Sequence, residues 1–409
     1  MAITDNAPFY NPLQDGYMED PYSHLAEMRE HAPVQQTLAG PWAVFRHDDV
    51  FEVLRDPTLS VDDANATIDD NDRAALFDDL VEEYGVGGAD HSILNTDPPD
   101  HTRLRRLVSK AFTPRSIEAL RPRIQALVDD ALDRMAAAGR TDVVDELAFP
   151  LPFDVISEMM GMPEADKDQI RDWSGAMVKT LDPIIDESEA RAAFVAAREM
   201  DTHIDRVVDW KRAHPADDLL TRLIEAEDDG DRLSPVELRD QVSLLFIAGH
   251  ETTVNLIGTG IHLLLGDDEQ RQRWIDDPDI DANAVDELLR FIAPVQFSRR
   301  IATADLELRG QHIPEGSFVL TCLASANRDP EFWGPTADQL DVGREGAGQH
   351  LSFGSGAHYC LGASLAKLEG QIAIGSFIRR FPDARPAGRP EWNGRINLRG
   401  LEKLPVEVS

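Results

Sequence analysis

The chain has 409 residues, of which 42% are hydrophobic, so it is long enough to bury a large core. Asp and Glu number 75 against 40 Lys and Arg, and the resulting net charge of −35 makes nucleic acid a poor partner. No apolar run reaches the roughly 18 residues that cross a bilayer, and the N-terminus lacks a secretory pattern. Two cysteines, Cys322 and Cys360, do not make a disulfide framework. We expect a cytoplasmic protein with an acidic surface and no membrane segment.

The first part of the chain is predicted to be mostly helical. Residues 21–49 indicate a helix followed by strands, with W-A-V-F as the clearest strand, and the helix D-D-V-F-E-V-L-R-D follows. Residues 60–95 are polar, acidic and contain several glycines, so we expect a long, partly mobile connection of the kind that often covers a site. Helical patterns then cover residues 101–137 and 148–161.

The second part combines long helices with a few short strands. Residues 194–213 form one predicted helix, and residues 235–265 form another, with Ser234 as N-cap and Glu237 completing a capping box. At 1.5 Å per residue the second of these helices is about 46 Å long. Strand patterns appear at 299–302, 306–308 and 317–323. The sequence predicts a mainly α fold with a small segregated β region, in one domain spanning residues 1–409.

The centre of the longest predicted helix, residues 248–253, has the unusual sequence A-G-H-E-T-T. A glycine inside a helix costs about 1 kcal/mol relative to alanine, and a threonine hydroxyl can bond to the carbonyl four residues earlier. A solvent-exposed helical turn would explain these polar residues. The apolar residues on both sides favour a buried polar element, which needs a functional reason.

A glycine-rich stretch at 353–369 reads F-G-S-G-A-H-Y-C-L-G-A-S-L-A-K-L-E and contains Cys360. Glycines adopt backbone conformations closed to other residues and let a flat ligand approach closely. Backbone N–H groups in such a turn, with the positive end of the following helix, stabilise a thiolate. Cys360 is therefore a candidate metal ligand or nucleophile, although a lone buried cysteine in such a turn would be an ordinary structural feature.

This stretch resembles the haem-thiolate signature of the cytochrome P450 family, F-G-x-G-x-H-x-C-x-G with L-A a few residues later, at every fixed position. Other motifs match in the family's order. A-G-H-E-T resembles the oxygen-binding groove, E-L-L-R at 287–290 resembles the E-x-x-R helix, and H-T-R-L-R at 101–105 resembles the H-x-x-x-R helix. The resemblance covers nearly the whole chain. It implies the triangular-prism fold, haem b with a cysteine thiolate ligand, and a soluble bacterial type.

The resemblance also implies roles for individual residues. Cys360 would be the axial ligand of the haem iron, Glu251 and Thr252 would deliver protons while O₂ is cleaved, and Ala248 and Gly249 would leave room for O₂. The other residues implied to contact the haem or its carboxylates are His101, Arg105, Arg300, Phe353, Gly354, His358 and Gly362.

Arg299 adjoins Arg300 and is a competing candidate for the same role. The family's spacing to Ala302 favours Arg300. Bidentate pairing with carboxylates is the physical reason for arginine at such a site, whereas any one of these cations alone would be an ordinary surface charge. The substrate walls implied by the resemblance are Ile93, Leu94, Leu245, Val295, Gln296 and Phe297.

A structural triad of Glu287, Arg290 and Arg344 is also implied. Glu287 and Arg290 lie three residues apart, on one helical face, and a single pair of this kind is usually a solvated surface contact. Arg344 lies in L-D-V-G-R, which resembles the family's meander, although Leu340 stands where phenylalanine is frequent. The triad would lock the fold behind the thiolate loop rather than take part in chemistry.

A local basic segment stands out in this acidic protein. Residues 101–123 hold seven Arg or Lys and one Glu, a net charge of +6. In the family this region borders the face where electrons arrive. We predict that an acidic ferredoxin or flavodoxin docks here, with Arg106, Lys110 and Lys367 contributing.

The implied reaction inserts one oxygen atom from O₂ into a C–H bond or alkene of an apolar small molecule, with electrons from NAD(P)H through a ferredoxin and its reductase. An H₂O₂-dependent peroxygenase is one alternative, but peroxygenases of this family lack the acid–alcohol pair that Glu251 and Thr252 form. A non-catalytic haem sensor or carrier is another, and it would need neither a proton relay nor a basic docking face. The apolar walls suit terpenes, steroids, fatty acids and polyketides alike.

Overall fold

Helices make up most of the computed structural model, which describes residues 8–67, 72–85, 91–110, 112–163, 167–228 and 231–408. In this part of the chain the α-helices are α1 (Tyr22–His31), α2 (His47–Arg55), α3 (Asp72–Tyr84), α4 (Asp100–Ser109), α5 (Pro114–Glu118), α6 (Arg121–Ala138), α7 (Pro150–Met160), α8 (Lys167–Met177), α9 (Glu187–Ala213), α10 (Leu219–Ile224), α11 (Pro235–Leu265), α12 (Asp268–Asp276), α13 (Asp281–Ile292), α14 (Leu323–Ala326), α15 (Pro330–Trp333) and α16 (Ala363–Arg380). No helix in the described ranges is both long and apolar enough to cross a membrane.

The β-strands are short and form one small sheet and several ribbons. They are β1 (Val34–Gln36), β2 (Trp42–Val44), β3 (Leu59–Ser60), β4 (Arg140–Asp142), β5 (Glu227–Asp228), β6 (Asp231–Arg232), β7 (Phe297–Ala302), β8 (Leu306–Leu308), β9 (Gln311–Ile313), β10 (Phe318–Cys322), β11 (Arg385–Pro386), β12 (Glu391–Trp392), β13 (Leu401–Lys403) and β14 (Pro405–Glu407). The largest sheet has the order β1-β2-β10-β7-β3. Only its β2–β10 pair is parallel, with Trp42 opposite Val319. The predicted mainly α fold with a small β region is confirmed.

Helix α11 runs through the main hydrophobic cluster and packs against α7, α9, α13 and α16. Its start matches the sequence prediction, because the Ser234 side chain accepts from Glu237 N–H (3.3 Å) and the Glu237 carboxylate accepts from Ser234 N–H (2.7 Å). Further along, a Cβ on Gly260 would lie 3.0 Å from side-chain carbons of both Ile374 and Leu288. Glycine therefore permits the close approach of α13 and α16 to α11.

The expected long connection at 60–95 is wrong in part, since α3 lies within it. Leu80 is fully buried, and Phe77 packs edge-on against Phe194 of α9 with ring centroids 5.5 Å apart. The apolar residues of α3 follow helical spacing, but many acidic neighbours conceal it in the sequence. Residues 68–71 and 86–90 of this segment lie outside the described residues.

The helical region predicted at 101–137 is divided into three helices. The first break follows from local sequence, because Thr113 caps α5 through the Ser116 N–H and Pro114 occupies its first turn. The division lets α4 contact the cysteine loop, through His101 and Arg105, and lets α6 pack against α16. Residue 111 lies outside the described residues.

Candidate active site

Cys360 lies in a tight loop that ends where α16 begins. The Cys360 N–H donates to Phe353 O at 2.9 Å, which closes the loop. Gly354 and Gly356 have φ angles of 68° and 73°, in the left-handed region that favours glycine. A Cβ on Gly356 would also lie 2.9 Å from Leu54 O. The glycines of the motif are therefore needed for the shape of the loop and for its contact with α2.

The Cys360 side chain is exposed, whereas the other cysteine, Cys322, is buried. Enough protein still surrounds Cys360 for desolvation to raise the pKa of its thiol, while hydrogen bonds from the backbone N–H groups of Gly362 and Ala363 and the charge of Arg105 act to lower it. These backbone donors belong to the start of α16, where the helix dipole also favours an anion. The loop therefore presents an accessible thiol that a metal ion would fully deprotonate.

Four basic side chains gather beside this loop. The rings of His101 on α4 and His358 in the loop have centroids 4.1 Å apart. Arg105, one turn along α4 from His101, donates to Tyr359 O. Burial, with smaller contributions from the charges of His101 and Arg300, lowers the pKa of His358 to about 4. The predicted residues of α4, β7 and the loop therefore converge on one place.

No carboxylate of the described chain lies within ion-pair distance of these four basic groups. Arg300 is buried and donates to Ser298 Oγ, Arg299 O and Leu54 O, all uncharged, and desolvation lowers its pKa to about 10. The Nε2 of His101 is buried and has no hydrogen-bond partner in the part of the chain that the structure describes. In a protein with 75 acidic residues, such a cationic pocket fits a ligand that carries its own carboxylates.

The structure separates the two competing arginines of β7. Successive strand residues point to opposite faces, and Arg299 pairs with Asp63 at 2.7 Å, away from the histidines. The charge of Arg300 contributes to the lowered pKa of His358, so Arg300 lies near that histidine. The geometry therefore supports the choice of Arg300.

The centre of α11 has one open face. Ala248 is exposed and Thr252, one turn later, is half-buried, although the helix around them is buried. The Thr252 hydroxyl donates to Ala248 O at 3.0 Å, as its spacing predicts. Gly249 faces α7, where a Cβ would lie 3.2 Å from Ile156. Helix packing is thus a reason for glycine here, besides the predicted room for oxygen.

Glu251 is buried beside this face and is held by several side chains. Its Oε1 accepts from Ser174 Oγ on α8 at 2.8 Å, and its Oε2 accepts from Arg395 Nη1 at 2.6 Å. The His250 Nε2 lies 3.5 Å from Oε1. Burial acts to raise the pKa of Glu251, but the hydrogen bonds and the nearby positive charges outweigh it, so this pKa lies well below its usual value. Glu251 is therefore ionised.

The predicted triad residues contact one another in the interior. Arg290 donates to both oxygens of Glu287 at 2.6 and 2.8 Å, and Arg344 Nε lies 3.1 Å from each of the same oxygens. Glu287 and Arg290 are fully buried. This pair is therefore not the surface contact that its spacing alone would suggest.

The predicted wall residues have different surroundings. Leu94 is exposed and Val295 half-buried, whereas Ile93 and Leu245 are buried. Phe297 is buried in a cluster near the N-terminus, with its ring 5.5 Å from that of Tyr10. The Gln296 amide donates to the backbone carbonyls of residues 292 and 293. Gln296 is therefore engaged in hydrogen bonds to the backbone, and Phe297 is packed in the interior.

The basic segment is partly neutralised. Arg106 and Lys110 are exposed. Lys367 pairs with Asp286 at 2.6 Å, which weakens its predicted role in docking. Further arginines of the segment pair with carboxylates as well: Arg103 with Glu237, Arg121 with Glu118, and Arg123 with Glu158.

The family model described as Cytochrome P450 matches residues 75–275 and 282–391. The chain belongs to the cytochrome P450 family. Cytochrome P450 107B1 of Saccharopolyspora erythraea is 43% identical over 98% of both chains. Vitamin D(3) 25-hydroxylase of Pseudonocardia autotrophica is 38% identical over 100% of this chain and 99% of its own. The structure of the myxobacterial cytochrome P450 CYP267B1 in complex with myristic acid has 36% identity and a TM-score of 0.89, over 97% of this chain and 98% of that one.

Members of the cytochrome P450 family bind haem b through a cysteine thiolate, and the protein is an oxidoreductase that incorporates molecular oxygen. The chemistry of the site residues also fits haem, independently of the family. It offers one exposed thiol with two backbone donors, and four basic groups that have no carboxylate partner among the described residues, including the Nε2 of His101. A dianionic, thiolate-ligated macrocycle would satisfy both features.

Three residues around Glu251 escaped prediction from sequence. Ser174 and Arg395 lie in segments without a recognisable motif, 77 and 144 residues from Glu251 along the chain. His250 lies inside the A-G-H-E-T-T stretch, but nothing in its position distinguishes it from a histidine packed in the core. The one signal for these partners in the sequence is Glu251 itself, an acid predicted to be buried on a helix, because a buried charged group needs partners.

Proposed function

We propose that this cytochrome P450 is a monooxygenase that hydroxylates or epoxidises an apolar small molecule, with electrons from NAD(P)H through a ferredoxin-type partner. One observation supports it above others: the Thr252 hydroxyl lies on the open face of α11 directly after the buried, ionised Glu251. When bound, the haem supplies the chemistry that cleaves O₂ and transfers one oxygen atom to the substrate.

The residues of the chain hold the cofactor and manage protons. Cys360 would hold the haem iron through its thiolate and supply electron density to it. His101, Arg105, Arg300 and His358 would bind the haem carboxylates. Glu251 and Thr252 deliver protons, and the remaining contacts are made by the loop and helix residues Ala248, Gly249, Phe353, Gly354 and Gly362.

The proposed substrate is apolar because the walls offer few polar groups. Ile93, Leu94, Leu245 and Val295 are apolar, and Glu251 is occupied by its own partners. Relatives support the same class, since one is named for vitamin D(3) and another was solved with myristic acid. Spectral titration with a panel of steroids, fatty acids, terpenes and polyketides would identify the preferred class.

We also propose that residues 1–409 form a single domain that works in the cytoplasm. Its main cluster joins residues from Val108 to Val406, and another joins Tyr10 to Ile396, so both ends of the described chain share cores with distant segments. The cytoplasm supplies the NAD(P)H-linked electrons that the proposed reaction needs.

Replacing Thr252 with alanine, or Glu251 with glutamine, is expected to separate electron consumption from product formation. A positioned proton donor contributes about 10²–10⁴-fold to a rate, so product per NAD(P)H should fall by roughly tenfold or more. Peroxide and product are both measured during turnover. Thr253→Ala is the matched control, because the Thr253 hydroxyl is buried and bonds weakly to Gly249 O at 3.4 Å.

The two alternative functions give different results in the same assay. A peroxygenase would turn over faster with H₂O₂ than with NAD(P)H and its partner, and neither variant would lose coupling. A haem carrier would form no product in any variant. Either outcome would refute the proposed function.

Charge reversal at Arg106 and Lys110 together is expected to slow reduction of the protein by an acidic ferredoxin at low salt. Electrostatic steering raises association rates by about 10–10³-fold, so a loss of roughly tenfold or more is expected. Stopped-flow reduction at several salt concentrations measures it. Lys367→Ala is expected to have a much smaller effect, because Asp286 already neutralises Lys367. Unchanged reduction by the double reversal variant would contradict docking at this surface.

A further inference from the structure

Glu251, Ser174 and His250 form a buried chain of polar atoms. Ser174 Oγ lies 2.8 Å from Glu251 Oε1 and 3.1 Å from His250 Nε2. The other ring nitrogen of His250, Nδ1, lies 2.8 Å from Phe246 O. A carbonyl oxygen only accepts hydrogen bonds, so Nδ1 carries a hydrogen. Aromatic rings surround the rest of the imidazole, those of Phe149, Phe153 and Phe246.

The two links of this chain need two hydrogens. The Ser174 hydroxyl supplies one of them. If His250 were neutral and Glu251 ionised, no second hydrogen would be available, and two lone pairs would face each other in the interior. The second hydrogen therefore lies on His250 Nε2 or on Glu251. Ser174 Oγ also lies 3.1 Å from Arg171 O, but the charged carboxylate at 2.8 Å is the stronger acceptor.

Arg395 favours the charged form of Glu251. Its guanidinium bonds the second carboxylate oxygen of Glu251 and is 13% exposed, so the pair is largely shielded from water. In the described structure the groups that face Glu251 and are able to carry a positive charge are His250 and Arg395. Helix α8 contributes Ser174, α7 contributes aromatic rings, and the buried acid of α16, Glu369, interacts with Thr253 instead.

We propose that His250, Ser174 and Glu251 share one transferable proton, and that Arg395 keeps it on His250 in the resting protein. On transfer, the Nε2 hydrogen passes to Ser174 Oγ while the hydroxyl hydrogen passes to Glu251 Oε1. The products are a neutral imidazole and a neutral carboxylic acid, and the total charge is unchanged. His250, Ser174 and Arg395 are thus positioning residues for Glu251, and this inference rests on the proposed proton-delivering role of Glu251.

Infrared difference spectroscopy of the haem-loaded full chain tests the position of the proton. Arg395→Met is expected to produce a protonated-carboxyl band at neutral pH that the wild type lacks, and Glu251→Gln in the same variant should remove it. Arg395→Lys keeps the positive charge and should resemble the wild type. Glu369, whose pKa burial raises to about 8, contributes the same protonated-carboxyl band to the wild type and to every variant, so its band cancels in each variant-minus-wild-type difference spectrum.

A matched control lies in the same turn of the chain. Arg399 stacks on Trp392 and donates to backbone oxygens of Met18 and Glu19, so Arg399→Met disturbs the turn without touching Glu251. It should give no new carboxyl band. Absence of the band in folded Arg395→Met, or its survival in the double variant, would overturn the proposal.

Ser174 gives a second test that does not depend on the folding of the Arg395 variants. Ser174→Ala breaks the chain of hydrogen bonds and should lower product per NAD(P)H by roughly tenfold, whereas Ser174→Thr should restore it. Wild-type coupling in Ser174→Ala would refute the shared proton. If Glu251→Gln also couples normally, the proposed role of Glu251 itself fails, so the two failures are distinguishable.

Discussion

Replacing Cys360 with alanine is expected to abolish product formation and the red-shifted Soret band that reduced, CO-bound thiolate haem proteins show. The exposed thiol and the two N–H groups directed at it have no substitute in the loop, because alanine cannot ligate a metal. The four basic groups remain in this variant, so it should still bind some haem. Absorption spectra of the reduced protein with CO, together with haem content, measure both effects.

Cys322→Ala is the matched control, because it removes the other cysteine. Cys322 is fully buried at the end of β10, and burial raises the pKa of its thiol to about 12, so it stays protonated. Its loss should leave the Soret band in place and cost about 1 kcal/mol of stability. A red-shifted band that survives in Cys360→Ala, or disappears in well-folded Cys322→Ala, would show that Cys360 is not the ligand.

The features that sequence predicted well depend on residues close together in the chain. The capping box of Ser234 and Glu237 and the bond from Thr252 to Ala248 O span three or four positions. Helical periodicity then placed α11 within its observed bounds. Such local geometry follows from residue type and spacing alone.

The features that sequence missed depend on distant residues. Glu251 was predicted as a proton donor, but its partners Ser174 and Arg395 come from segments that meet α11 only in the folded chain. Lys367 was predicted as a docking cation, and its pairing with Asp286 depends on the packing of α16 against α13. Spacing in the sequence carries no information about such contacts.

Replacing Glu287 with alanine is expected to destabilise the protein severely. The change leaves two buried guanidinium groups, those of Arg290 and Arg344, without an anion, and it removes an acceptor of the Asp341 N–H. Removing one partner of a buried ion pair costs about 3–5 kcal/mol, a large part of the 5–15 kcal/mol that is typical of folded domains. Urea unfolding and the melting temperature measure the loss.

The exposed pair of Glu118 and Arg121 provides the control, since it has the same three-residue spacing on the surface. Glu118→Ala should leave the melting temperature close to that of the wild type, because exposed pairs are screened by water. Equal melting temperatures for the Glu287 and Glu118 variants would contradict a structural role for the triad.

The Glu287 variant should also lose haem, because the triad is connected to the cysteine loop. Arg290 donates to Asn327 O at 2.8 Å, and the Asn327 side chain in turn bonds Leu351 N–H (2.7 Å) and Ser352 Oγ (2.8 Å). Phe353, the next residue, holds the Cys360 N–H. If Arg290 loses its anion, its hydrogen bond to Asn327 O is no longer held in place. The loop that Asn327 contacts then loses the geometry that presents the thiol. Haem content should therefore fall even at temperatures where Glu287→Ala remains folded, whereas Glu118→Ala should retain its full haem content.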